Sequence, residues 1–103
     1  MIRITADPIQ APMKVGTYSL RGWAGYLRAG ILFAKRFTPV PGSPYPDGGC
    51  NAESYTADRF IELETLGPLA ELQPGQSATH LEIWEVYPGV EDRDQAIGLM
   101  ESA

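Results

Sequence analysis

Cysteine and histidine are nearly missing from this chain: Cys50 and His80 are the single copies of each in 103 residues. One cysteine cannot close a disulfide within the chain. One cysteine and one histidine cannot assemble a Cys/His zinc framework, so disulfide scaffolds and zinc fingers are excluded. No stretch approaches the apolar length of a membrane span, and the first residues, MIRITADPIQAP, lack an apolar run of signal-peptide length. The expectation is a soluble, cytoplasmic protein with no membrane partner. Positive charge is also scarce, with 8 Lys and Arg against 13 Asp and Glu, a net charge of −5. Phosphate backbones are bound by neutralising them with Lys and Arg, so nucleic acid is a poor partner for this chain.

Glycine and proline, by contrast, are plentiful at 11 and 9 copies, and both are penalised inside helices, which argues against a helical bundle. An apolar share of 44% and a charged share of 20% are those of a chain that folds. Residues 1–103 are enough for a single domain and one core. A domain of this size buries only about 60 to 65% of the surface its unfolded chain exposes, so a partner subunit is expected to finish the core.

Charge is unevenly spread. Arg3, Lys14, Arg21, Arg28, Lys35 and Arg36 stand against Asp7 alone before Asp47, whereas from Asp47 onward twelve acidic residues face only Arg59 and Arg93. Such halves attract each other, within a subunit or head to tail between subunits. The plainer alternative is opposite charges on neighbouring solvated strands, where exposed pairs contribute little.

From Lys14 the runs KVGTYSL, WAGYLR and ILFAKRF, separated at Arg21-Gly22 and Ala29-Gly30, predict a meander of three antiparallel strands. Neither link is the Asn-Gly pair of a tight hairpin, which leaves a bulged or longer turn open. TPVPGSPYPDGG, Thr38 to Gly49, excludes a central strand and reads as a surface loop. Beyond it Cys50 to Tyr55 is a short candidate strand. FIELETL, Phe60 to Leu66, alternates clearly, with Ile61, Leu63 and Thr65 on one face and Phe60, Glu62, Glu64 and Leu66 on the other. Pro74-Gly75 fits the central pair of a type II turn. THLEIWEVY, Thr79 to Tyr87, places Leu81, Ile83 and Glu85 opposite His80, Glu82, Trp84 and Val86. A brief C-terminal helix follows, capped by Asp92, with Ala96, Ile97 and Met100 on one side and Gly98 weakening it.

If the last two strands share a sheet, Glu62, Glu64, His80, Glu82 and Trp84 share its outer face. Clustered carboxylates repel, which raises the pKa of one of them as a general acid or base requires, and a tryptophan beside them stacks on the apolar face of a sugar ring. The same pattern is also what an ordinary wet face of a half-buried sheet presents, with Trp84 as a packing residue. His80 with the acids is a weak metal signature. Lys35 and Arg36 lie on opposite faces of their strand, so only one of them points toward any given pocket; either could bind an acidic sugar, and the plainer expectation is a solvated strand face. Cys50 follows Gly-Gly but has no evident histidine partner, and PDGG lacks the strand and helix that flank a phosphate-binding loop.

YPDGGCNAESYT from Tyr45 and RFIELETLGPLAELQPGQSATHLEIWEV from Arg59, preceded by KVG, GWAGYL and LFAKRF, resemble the C-terminal part of an uncharacterised bacterial family with the galactose-mutarotase-like fold. ELETLGP followed by Leu-x-Pro-Gly is the most specific part of a likeness that spans roughly Lys14 to Val86. That family is similar to aldose epimerases, whose large antiparallel sheets stack face to face as a supersandwich around a sugar. The resemblance implies an all-β antiparallel sandwich corresponding to a partial supersandwich, its missing strands supplied by identical copies in a homo-oligomer. It places Glu64 near the glutamate base of the epimerases. Their acid histidines have no counterpart ahead of Glu64, since His80 comes after it, and acid-base ring opening needs both groups on one bound sugar.

The function expected is therefore sugar recognition, non-catalytic in a lone chain, with Glu62, Glu64, His80, Glu82, Trp84 and Lys35 or Arg36 as ligand contacts and with no cofactor or metal. One alternative is an aldose-epimerase-like enzyme with Glu64 as base and His80, or a neighbouring subunit, as acid. The other is a non-catalytic assembly protein that kept the fold and lost the site.

Overall fold

The computed structural model describes residues 2–5, 11–57 and 59–102; residues 1 and 6–10 of the N-terminal stretch read above for a signal peptide lie outside them. Strands β1 (Met13–Thr17), β4 (Ala52–Ala57) and β5 (Phe60–Thr65) form one antiparallel sheet in the order β1-β4-β5. Strands β2 (Trp23–Arg28), β3 (Ile31–Arg36) and β6 (Ile83–Tyr87) form a second in the order β2-β3-β6, and helix α1 (Arg93–Glu101) lies against β2. The architecture is all-β and sandwich-like, with one short C-terminal helix.

Alternation in β3 divides the second sheet. Leu32 and Ala34 are buried with Val90, Ala96 and Met100, and Trp23, Leu27, Tyr87 and Leu99 pack around them. Phe33 and Lys35 face the other way, as period two requires. Asp92 caps α1 by accepting the Gln95 N–H at 2.8 Å. At the other end the helix has no basic residue in its last turn, and Arg36 from β3 donates to the Met100 carbonyl at 3.1 Å, placing a cation at the negative end of the dipole.

The β2-β3 link is tight. Arg28 pairs with Ile31, leaving Ala29 and Gly30 as a two-residue loop with φ of 51° and 79°, both positive as a type I′ turn demands. Pro74-Gly75 forms the expected turn, with Gly75 at φ 89° and the Gln76 N–H donating to the Gln73 carbonyl at 3.0 Å. The Thr38 to Gly49 segment is the expected loop. Tyr45 is buried, accepts the Val40 N–H at 3.0 Å and stacks edge-on against Tyr18.

Two expectations are corrected. The first three runs do not make one meander, because β1 pairs with β4 and only β2 and β3 form a hairpin. The fully buried Asn51 causes the switch: its side-chain amide accepts the Ser19 N–H and donates to the Ser19 carbonyl at 2.9 Å. Gly22 then turns the chain away at φ 74°, at a place where a Cβ would meet the Phe37 carbonyl oxygen at 2.4 Å. Second, the two clearest strands do not share a sheet, since β5 pairs with β4 and β6 with β3. The last strand begins only at Ile83, and Leu81 and Ile83, expected in a core, are exposed. The strand after the loop also starts later than expected, at Ala52.

Two stability changes follow. Asn51→Ala leaves both Ser19 backbone groups without partners and is expected to cost about 2 to 3 kcal/mol, read from the urea midpoint. Ala29→Asn replaces a residue strained at positive φ with one that tolerates it and is expected to gain about 0.5 to 1 kcal/mol in the same measurement.

Candidate functional site

A shallow, open pocket of about 760 Å³ lies where the end of β5 meets the start of β6, lined by Lys35, Glu64, Thr65, His80, Leu81, Glu82 and Trp84. Cross-strand pairing sets Trp84 opposite Lys35, so both project on the Phe33 side of the second sheet. Lys35 then bridges to the first sheet by donating to the Leu63 carbonyl at 2.8 Å. Its ammonium lies 5.2 Å from the Trp84 ring centroid, and Phe33 meets the same indole edge to face at 5.5 Å.

Glu82 organises the rest. Its Oε1 accepts the Trp84 Nε1–H at 3.0 Å, its Oε2 accepts the Thr65 hydroxyl, and Lys35 Nζ stands 3.7 Å from Oε2. A hydroxyl has one hydrogen, and Thr65 gives it to Glu82. His80 Nε2, 2.7 Å from Thr65 Oγ1, must therefore be the donor in that contact, which requires a hydrogen on Nε2. Gly67 seats His80: a Cβ there would come within 3.2 Å of the His80 Cβ. Burial alone would raise the Glu82 pKa. The hydrogen bonds from Thr65 and Trp84 and the charges of Lys35 and His80 outweigh it and hold the carboxyl below its ordinary value.

Of the residues singled out in the sequence, Lys35, Glu64, His80, Glu82 and Trp84 come together here. The shared-sheet argument that grouped them is nevertheless wrong, since the pocket is made by residues from both sheets. Two candidates fall elsewhere. Glu62 is exposed on β5 opposite Tyr55 and does not line the pocket. Arg36 projects from the opposite face of β3, where it pairs with Glu85. Sequence reasoning missed Thr65, which period two had assigned to the Ile61/Leu63 core face, and Gly67, whose requirement comes from a tertiary approach that no local pattern encodes.

Other polar features lie apart. Glu53, on β4, is buried beside Lys14 at 3.3 Å, and the neighbouring Asp47 and burial raise its carboxyl above the usual range. Burial likewise pushes the Cys50 thiol up, away from the thiolate a nucleophile needs. A second, more apolar cavity of about 870 Å³ opens between the first sheet and the edge of β2. Among the described residues no group of three His, Cys, Asp or Glu is placed to hold a metal ion, and no helix is long and apolar enough to cross a membrane. No protein-family model, curated protein or solved structure matches the chain.

A carboxyl whose folded pKa is depressed contributes stability that is present above its unfolded pKa of about 4.3 and is lost as pH falls through the lower folded value. Glu82→Gln is accordingly expected to lower stability at neutral pH and to converge on the parent protein in urea titrations once pH has fallen below the depressed folded value. A constant difference down to pH 2 would show that ionisation of Glu82 is not the source.

Proposed function

We propose that this protein recognises a small sugar at the pocket around Trp84 and, as a lone chain, does so without turning it over. The observation that carries the reading is the state of the indole. Trp84 is 64% exposed, yet its ring is held by the Glu82 hydrogen bond and the Phe33 edge contact. A large aromatic surface held rigidly in water presents its apolar face to a ligand at little entropic cost. Around it stand groups that suit hydroxyls: the Glu64 carboxylate to accept, the Lys35 ammonium to donate, and the His80 ring. The resemblance to the mutarotase-like family points the same way, and the protein is read as sharing that architecture and assembling with copies of itself.

The enzyme reading draws its support from Glu64 and His80 lining one pocket, where they would serve as base and acid on an aldose. Against it, the Nε2 proton of His80 is already engaged by Thr65. The third reading, an assembly protein without a ligand, draws on the exposed apolar residues of β6.

Titrating monosaccharides, acidic ones included, against intrinsic fluorescence is expected to give saturable quenching that Trp84→Ala abolishes and Trp23→Phe preserves. Silence across a broad panel at millimolar concentration would overturn sugar recognition. Polarimetry on freshly dissolved aldoses is expected to give the spontaneous mutarotation rate with or without protein. An accelerated rate that Glu64→Gln removes would instead establish the epimerase reading.

A further inference from the structure

The charges around the pocket at Trp84 do not cancel. Lys35 and Glu82 balance each other, with Nζ 3.7 Å from Glu82 Oε2 and the lysine side chain only 14% exposed. The same ammonium donates to the Leu63 carbonyl and rests over the Trp84 ring. Of the two cations expected to receive an acidic sugar, neither is therefore available for one: Lys35 is held inside the site, and Arg36 lies on the other face of β3 with Glu85.

Glu64 stands differently. It lines the pocket and makes no hydrogen bond or ion pair with any described residue. Cross-strand pairing sets it beside Glu53 on one face of the first sheet. Lys14, whose ammonium also feels the charge of Glu64, is bound to Glu53 at 3.3 Å and is shared with Asp47. With Lys14 committed to Glu53 and Lys35 to Glu82, the pocket holds a carboxylate without a counter-ion beside an indole that is mostly in water. Both features attract a cation. The face of an indole is the negative part of its π system, and a carboxylate takes charge-assisted hydrogen bonds from an ammonium. A carboxylated sugar meets the reverse, a like charge at Glu64.

We infer that the sugar selected by this pocket carries a protonated amine: its ammonium meets Glu64 while the apolar face of its ring lies on Trp84. The inference rests on the sugar-recognition reading above and adds to it the class of sugar. An amine flanked by electron-withdrawing carbons titrates near the value of an α-amino group, about 7.7 to 8.0, so an amino sugar is mostly charged at pH 7.

Fluorescence titrations of the unaltered chain at pH 7 with glucosamine, N-acetylglucosamine, glucose and glucuronate test this directly. Glucosamine is expected to bind about three- to tenfold more tightly than glucose, the gain of one exposed ion pair and one exposed cation–π contact. N-acetylglucosamine, which keeps the substituent without its charge, is expected to lose that gain, and glucuronate to bind more weakly than glucose. The preference should shrink as the screening length falls from about 30 Å at 0.01 M salt to about 3 Å at 1 M. Glu64→Gln, with its circular dichroism spectrum matched to that of the parent, is expected to close the gap between glucosamine and glucose and to improve glucuronate relative to both. Glucose or N-acetylglucosamine binding as tightly as glucosamine, glucuronate binding best, or a glucosamine preference that survives Glu64→Gln would each overturn the inference while leaving sugar recognition standing. No quenching by any of the four would overturn both.

Discussion

The buried carboxamide of Asn51 is the contact from which the arrangement of the first sheet, and through it the site, follows. Its side chain imitates a backbone unit, accepting from and donating to Ser19, while its own main chain donates to Thr17 and accepts from Leu66. Three segments thus converge on one residue: the end of β1, the start of β4 and the exit from β5. With Ser19 held, β1 stays beside β4 and the chain must turn at Gly22 to begin β2 in the other sheet. With Leu66 held, the neighbouring Thr65 is presented to Glu82 across the gap between the sheets. A polar side chain buried this deeply is tolerable only when its bonds are all made, and here they fix a topology as well as a turn.

β3 does the equivalent work in the second sheet. Consecutive cations at Lys35 and Arg36 fall on opposite faces of one strand, and each finds an acid contributed by the β6 segment. The basic and acidic halves of the chain do meet, within the subunit and across an antiparallel pair. Neither pair is a large source of stability by itself, being partly exposed to water. Their effect is positional. Lys35 joins the two sheets through the Leu63 carbonyl and supports Trp84, whereas Arg36 closes the C-terminal end of α1.

What was legible in the sequence followed from local chemistry. Alternation in FIELETL and ILFAKRF, the glycine and proline of the loops, the Pro-Gly turn and the Asp92 cap each have a cause within a few residues, and the strands, turns and short helix appear where those causes act. Which strands become neighbours has no such local cause. The switch of β1 to β4 depends on Asn51 reaching Ser19 across 32 positions. The separation of β5 from β6 depends on β3 taking β6 as its partner. The site shows the same division. Lys35, Glu64, His80, Glu82 and Trp84 stand out by residue type, but the sheet that was to unite them does not exist. Thr65, placed by period two on a core face, turns out to carry the hydrogen bond that joins His80 to Glu82. The failure at Leu81 and Ile83 has a physical reason too, for residues of an edge strand are apolar without being buried by their own chain.

The hydrogen-bond arithmetic of the site separates its carboxylates into two kinds. Glu82 has both oxygens engaged, one by Trp84 and one by Thr65, with Lys35 beside it, and its carboxyl is held ionised. A group in that state is a poor proton donor, because it is already deprotonated, and a poor base, because protonating it breaks the bonds that lower its pKa. Its use is to hold other groups in place: an indole with a fixed plane and a hydroxyl with a fixed proton. Glu64 lines the same pocket without any of these partners, so under the proposed reading it is the carboxylate left to meet a ligand. A site that commits its best-connected acid to holding an aromatic platform is arranged first for recognition, and turnover would have to come from Glu64 together with a proton donor that His80, tied to Thr65, does not freely supply.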